Sequence, residues 1–295
     1  MKKILILGAG GQLGSLLVAG APAHVQVVAA NSAQIDICDS KKLQQEITAI
    51  NPDVIINAAA YTQVDKAESE PGITRAWAVN HQGVRNIIKA SSPSTRIIHI
   101  STDFVFDGSA TSPYLPEAEV NPLSIYGRSK QAGELELQQH AAERSCIIRT
   151  AWLYAADGKN FVNTMLALLA SKEQLNVVDD QKGSPTSAHA LADAIWRFVE
   201  RPGVHGVFHW TDDGETTWYA FASEIQRLGI EYGLLDRKIP ILPIPTSAYP
   251  TPARRPAYSV LDKQKTWAAL ESKSSPWQQE LGRVLKMKTE QRGKS

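Results

Sequence analysis

Tyr126 stands four residues ahead of Lys130 in the stretch SIYGRSKQAG. On a helix that spacing sets a phenol and an ammonium on one face, one turn apart. A free tyrosine has a pKa of about 10 and moves protons poorly at neutrality. A cation held within a few ångströms stabilises the phenolate and lowers that pKa, which turns the pair into a proton donor. Two other stretches point to chemistry that needs such a donor. In ILILGAGGQLGSLL, Gly8, Gly10, Gly11 and Gly14 follow an apolar run and open a helical one, with Gln12 and Leu13 completing the turn. Glycines there allow a tight turn and let the backbone approach a pyrophosphate, and the helix N-terminus offers free N–H groups to it. In HISTDFVFDG, Ser101, Thr102 and Asp103 close another apolar run. Thr102 can hydrogen-bond a substrate carbonyl and orient it toward Tyr126. The chemistry expected is carbonyl reduction: hydride from a nicotinamide, a proton from Tyr126, and Lys130 holding the nicotinamide ribose hydroxyls.

Residues so far apart need a frame that brings them together. KILIL (3–7), VQVVAA (25–30), DVIINAAA (53–60), RIIHIST (96–102) and CIIRT (146–150) are apolar nearly throughout, as parallel strands covered on both faces must be. Helical patterns near 12–20, 40–50, 72–91 and 124–142 alternate with them. The fold class expected is α/β, a Rossmann-type doubly wound parallel sheet. Ligands bind such a sheet beyond the carboxyl ends of its strands, where the glycine turn, Thr102 and Tyr126 all fall. Residues 1–150 are assigned to this dinucleotide-binding domain, with some later elements returning to it. Residues 151–295 form mainly a smaller C-terminal substrate-binding lobe. Its pattern is looser: helices near 160–171, 187–200 and 217–229, strands at 175–179 and 206–211, and a turn-rich DQKGSPTS. Six prolines between 240 and 256 mark an extended loop rather than a sheet interior. The polar end, KMKTEQRGKS, reads as a frayed tail.

Composition bounds the function. The 295 residues are 43% apolar and 21% charged, as in a soluble globular protein, and the net charge of +1 leaves no electrostatic footprint for nucleic acid. No stretch approaches the ~18 apolar residues of a membrane span, and the apolar run at the start is too short for a signal peptide. Cys38 and Cys146 sit singly in apolar runs and read as free thiols, which fits the cytoplasm. The histidines, His99 among them, show no metal-ligand spacing and read as structural.

Taken as Gly-x-x-Gly-x-x-Gly (8, 11, 14), with the strand-end threonine and Tyr-x-x-x-Lys, the chain resembles the extended short-chain dehydrogenases/reductases. In that superfamily the second strand ends on an acid for the ribose hydroxyls of NAD. Here Asn31 and Ser32 stand there, and no Arg or Lys is near in the sequence. Loss of the carboxylate removes repulsion against a 2′-phosphate, so NADPH is expected, with NADH also accepted. Asp36 and Ile37 are placed to cradle the adenine.

DVIINAAAYTQVDKAESEP, STDFVFDG, NPLSIYGRSKQAGE, IIRTAWLYA, NFVNTML, DDQKGSPTSA and IPTSAYPTPARRP together resemble the dTDP-4-dehydrorhamnose reductases, over residues 3 to about 262. The resemblance implies NAD(P)H reduction of the C4 ketone of dTDP-4-dehydro-β-L-rhamnose. It also implies that Thr102, Asp103, Trp152 and Thr62 meet the sugar, with Ala60, Tyr61 and Ile100 near the cofactor. Asn160 and Arg255 are sugar or diphosphate candidates by the same route. Trp152 reads equally as core, and Arg255 as a solvated arginine. Asp65, Lys66 and Glu68 read as a helix surface, with Thr62 and Val64 facing the cleft.

Related 4,6-dehydratases carry Asp-Glu after the threonine, but here Asp103 is followed by Phe104, which moves no proton. The sequence leaves open a reductase or epimerase of another nucleotide sugar. It also leaves open a non-catalytic subunit like the methionine adenosyltransferase β subunit, which resembles the same family. Some family members dimerise through Mg²⁺ held by glutamates. The matching positions are Ser15 and His189, so no metal site is expected, a monomer is favoured, and a metal-independent homodimer stays open.

Overall fold

The computed structural model describes residues 1–292. Six parallel strands form the central sheet: β1 (Lys2–Leu7), β2 (Val25–Ala30), β3 (Val54–Asn57), β4 (Arg96–Thr102), β5 (Ser145–Thr150) and, far later in the chain, β10 (Gly206–His209). Their order is β10-β5-β4-β3-β1-β2. The chain leaves β1 toward one edge and returns beyond it through β3, so a crevice opens where the two diverge, at the carboxyl ends of β1 and β3.

Successive residues of each strand feed opposite layers. Ile4, Ile6, Ile56, Ile98 and Ile148 pack against α1 (Gln12–Ala19) and α7 (Ala188–Val199) through Leu13, Leu17, Leu191, Ile195 and Phe198. Leu5, Leu7, Ile55, Ile97 and Ile147 face α2 (Ser40–Ile50), α4 (Gly83–Ala90) and α5 (Ile125–His140) through Leu43, Ile47, Val84, Ile87 and Leu137. That two-sided burial is why these strands are apolar at nearly every position. Each buried Leu or Ile contributes about 1.5–3 kcal/mol relative to exposure.

The expected helix over 72–91 is three pieces: α3 (Gly72–Trp77), a π-helical turn Ala78–Gln82, and α4. A second lobe is built from α6 (Phe161–Ser171), α8 (Trp218–Glu231) and α10 (Trp277–Arg292), packed through Leu166, Leu169, Phe221, Ile225, Leu281 and Val284. Short ribbons knit it together: β6 (Leu153–Tyr154) with β9 (Thr186–Ser187), β7 (Leu175–Val178) with β12 (Ile241–Ile244), and β8 (Lys182–Gly183) with β11 (Thr216–Thr217). The short helix α9 (Gln264–Leu270) returns to the first layer, where Leu270 joins the core beside α7.

Two expectations are corrected here. The proline-rich stretch is not wholly loop, because β12 pairs in register with β7 even across Pro243; a two-stranded ribbon has a free edge that tolerates a missing donor. The C-terminal stretch is not frayed through residue 292, because α10 is anchored by buried Leu281, Val284 and Leu285. Residues 293–295 of the predicted tail lie outside the described residues.

Candidate active site

The glycine turn joins β1 to α1 at the crevice. A side chain at Gly14 would come within 2.1 Å of the Gly8 carbonyl oxygen, so only a bare backbone closes this turn. Gly8, Gly10 and Gly11 line a cleft of about 510 Å³ with Asn31, Ser32, Asp36, Ile37, Ala60 and Tyr61. Arg75 of α3 lines it too. The side chain of this exposed cation has no hydrogen-bond or ion-pair partner among the described residues, and it brings to the cleft a positive charge that the sequence around Asn31 lacks.

A second cleft, about 450 Å³, shares Gly11, Ala58 and Ala60 with the first. Its walls bring together Gln12, Leu13, Gly14, Thr62, Ile100, Thr102, Asp103, Tyr126, Lys130 and Trp152. The catalytic candidates therefore face one space. Val64 and Lys159 line it as well. Lys159 is a cation not foreseen from the sequence: it directly precedes the motif NFVNTML, but no spacing turns the lysine itself toward the cleft.

α5 carries Tyr126 in its first turn, and four contacts fix that turn. Ser124 caps the helix by accepting from Gly127 N at 3.1 Å. Glu68 accepts from Ile125 N at 2.8 Å, so it is a helix anchor and not the plain surface residue expected. A side chain at Gly127 would sit 2.3 Å from the Phe104 carbonyl oxygen, so glycine lets the helix press against the Thr102–Phe104 segment. Asn80, in the π-helical turn, donates to Ser129 Oγ at 3.0 Å and to the Tyr61 carbonyl at 3.1 Å, tying α5 to the cofactor side.

Thr102 donates to Asp103 Oδ1 at 3.1 Å and accepts from Phe104 N at 3.2 Å. Burial pushes the Tyr126 phenol up to about 12; the facing Thr102 hydroxyl opposes the shift and the Asp103 carboxylate adds to it. Burial likewise pushes Asp103 up to about 6. Lys130 is 1% exposed, and burial brings it down to about 8 despite Glu134 one turn on. Its Nζ donates to the Ile100 carbonyl at 2.6 Å and lies 3.3 Å from His99 Nε2. The expected fall in the Tyr126 pKa is thus absent here: desolvation dominates, and the ammonium is spent on a backbone carbonyl. Beneath this layer Arg149 pairs with Glu134 at 2.7 Å, both buried, and Glu134 also takes the Ser101 hydroxyl. This network locks α5 to β4 and β5, and its residues give no local pattern that would reveal it.

Trp152 lines the cleft with positive φ (47°) and stacks on Trp218 at 3.5 Å. Asn160 and Arg255 are not among the residues lining the two clefts, though Asn160 adjoins the second through Gln12. Asn160 caps α6 and donates to Gln12 Oε1 at 2.9 Å and the Ala155 carbonyl at 3.0 Å. Arg255 pairs with Asp65 at 2.8 Å, because that carboxylate offers the guanidinium two oxygens at once. Ser15 and His189 line a third cavity, about 730 Å³, with Asp157, Lys159 and Glu290.

A parallel sheet with a glycine turn at its switch point, and a strand-end threonine facing a Tyr–Lys pair, define a short-chain dehydrogenase/reductase. The RmlD substrate binding domain family matches residues 1–290, and the chain belongs to that family. It is similar to a dTDP-4-dehydrorhamnose reductase of Shigella flexneri, 39% identical over 295 residues and 96% of each chain. Among solved structures it is similar to a dTDP-4-dehydrorhamnose reductase of Clostridium acetobutylicum (TM-score 0.89, 36% identity, 97% of this chain and 99% of that one). A second is the Bacillus anthracis dTDP-4-dehydrorhamnose reductase in complex with NADP (TM-score 0.89, 33% identity, 96% of this chain and 98% of that one).

Proposed function

We propose that this chain reduces the C4 ketone of dTDP-4-dehydro-β-L-rhamnose to dTDP-β-L-rhamnose, the last step of dTDP-rhamnose synthesis, with NADPH and also NADH. The observation that carries the reading is the convergence of Thr102, Tyr126 and Lys130 on one cleft that shares a wall with the glycine turn. The turn fits a dinucleotide, since bare backbone stands where a pyrophosphate needs close approach. When bound, the nicotinamide supplies hydride to the sugar C4. Thr102 holds the ketone oxygen, Tyr126 gives that oxygen its proton, and Lys130 binds the nicotinamide ribose. Phe104 packs edge-on against Tyr126 at 5.5 Å and carries no proton to move, which favours reduction over dehydration.

Residues 1–150 serve the cofactor and residues 151–295 mainly the sugar nucleotide, with Trp152 at the boundary. The protein works in the cytoplasm, in keeping with two free thiols. Among the described residues no helix is long and apolar enough to cross a membrane. The deciding experiment is incubation with dTDP-4-dehydrorhamnose and NADPH, following nicotinamide absorbance. Absorbance should fall with one NADPH used per sugar reduced. Turnover of a UDP-linked ketosugar but not the dTDP sugar would overturn the substrate assignment.

A further inference from the structure

A dinucleotide that runs from the first cleft, beside Asn31, to the catalytic cleft must pass Gly11, which lines both of them and the third cavity too. Gly11 is the N-cap of α1, and no side chain caps that helix, so its first N–H groups are left for a phosphate. Lys159 faces this crossing from the second lobe. It lines the catalytic cleft and the third cavity, and it shares both with Gly11, Gln12 and Thr62. Its loop, 155–160 between β6 and α6, is braced against the glycine turn. The buried Asn160 donates to the Ala155 carbonyl at 3.0 Å and to Gln12 Oε1 at 2.9 Å. Asn163 donates to the Ala156 carbonyl at 3.1 Å and to the Gly158 carbonyl at 2.9 Å. Gly158 reverses the chain at a φ of 80°, and a side chain there would stand 3.6 Å from Gln12 Oε1.

We propose that Lys159 is a cofactor-binding residue, whose ammonium closes over the pyrophosphate of the dinucleotide from the lobe opposite the glycine turn. This rests on the reading above that the turn holds a nicotinamide dinucleotide, and it adds a contact from the other lobe. A helix end offers about +0.5 of a charge, which leaves most of a dianionic pyrophosphate uncompensated. An ammonium with three donors on a flexible stem supplies the rest. Lys159 is exposed, and its side chain has no hydrogen-bond or ion-pair partner among the described residues. Asp157 and Glu290 line the third cavity with it, yet neither reaches ion-pair distance, and Asp157 accepts from Gln291 at 3.0 Å. Lys288 of α10, a second cation at this loop, is committed to the Ala156 carbonyl at 2.8 Å. The first-lobe residues that Lys159 meets in both spaces include Gly11 and Gln12 of the glycine turn, so the cofactor is the nearer anion than the diphosphate of a sugar nucleotide. A 2′-phosphate would lie beside Asn31 and Ser32, in the cleft that Lys159 does not line.

The test is calorimetric titration of the full chain and of Lys159→Gln with NADPH, NADH, ADP-ribose and dTDP, each alone. In Lys159→Gln the Kd for NADPH, NADH and ADP-ribose should rise together by ~3–10-fold, between the worth of an exposed ion pair and that of a charged hydrogen bond. The Kd for dTDP should stay where it is. The weakening of cofactor binding by added salt should be shallower in the variant, since one screened contact is gone. Lys159→Arg, which keeps the charge, should recover most of the affinity. An unmoved Kd for ADP-ribose overturns the proposal. A loss confined to NADPH also overturns it, because the lysine would then serve the 2′-phosphate. So does a loss that dTDP shares in full or takes alone, because the lysine would then serve the sugar nucleotide. None of these titrations needs a ketosugar. A chain that leaves dTDP-4-dehydrorhamnose unreduced while Lys159→Gln weakens all three dinucleotide ligands would sink the reductase reading and leave this one standing, and turnover with an unmoved Kd would do the reverse.

Discussion

In the proposed reduction Tyr126 serves as proton donor by environment more than by partner. Burial holds it as a phenol and Thr102 faces its oxygen, so removing the hydroxyl should remove the donor and little else. Tyr126→Phe should keep the fold and cofactor affinity and lose turnover by ~10²–10⁴, the share of general acid catalysis; single-turnover rates beside cofactor titrations check this. At the other end of the groove Asn31 and Ser32 neither repel nor clamp a 2′-phosphate, and Arg75 is the exposed cation there. An exposed charge pair contributes ~0–1 kcal/mol and tenfold discrimination needs ~1.4. NADPH should therefore be favoured over NADH by less than ~10-fold in kcat/KM. A preference for NADH of ~100-fold would contradict that. Phe104 should leave the enzyme without dehydratase activity on dTDP-glucose, and a 4-keto-6-deoxy product would show otherwise. That Thr102, Tyr126, Lys130 and the glycine turn meet at one cleft was legible in the sequence, because each falls at the carboxyl end of a strand or at the start of a following helix. Arg75 was not, since it reaches the cleft from α3, where no spacing marks it.

At the scale of elements, the site depends on how the start of α5 is held. Glu68 lies in the 3₁₀ turn Lys66–Glu68, yet its carboxylate takes Ile125 N, one residue before Tyr126. Glu68→Ala should cost ~1 kcal/mol, as loss of a helix-cap bond does, and should lower kcat by up to ~10-fold through misplacement of the phenol. A fall in Tm with unchanged kcat would show that the anchor serves stability alone. The central strands and the first helices were readable because both faces are covered and their boundaries carry glycine, Ser124 or Asp39 caps. The π-helical turn at Ala78–Gln82 was not, because its sequence has good helical spacing on both sides. It sets Asn80 against Tyr61 and Ser129, a demand that comes from the tertiary structure. Such turns recur at functional sites for this reason. α10 was not read from the sequence at all; its polar second half follows the buried anchors Leu281, Val284 and Leu285, which keep it helical through tertiary packing.

For the whole molecule, the remaining variable is how copies associate. The third cavity gathers Ser15 from α1, His189 from α7 and Glu290 from α10 of the second lobe. By the resemblance drawn from the sequence, Ser15 and His189 stand where some family members would hold Mg²⁺ with glutamates. The Ser15 hydroxyl is neutral and donates to the Gln12 carbonyl at 3.2 Å. Burial pushes the His189 imidazole below its ordinary range, which keeps it a neutral nitrogen ligand. Mg²⁺ wants charged oxygen ligands in near-octahedral array, and a neutral imidazole suits softer metals. Glu290 alone replaces neither missing carboxylate. Activity should therefore survive EDTA, and light scattering should report a monomer of the same mass with and without the chelator. A dimer that dissociates on chelation, or a rate restored only by Mg²⁺, would show that Glu290 and Asp157 of two copies rebuild the site.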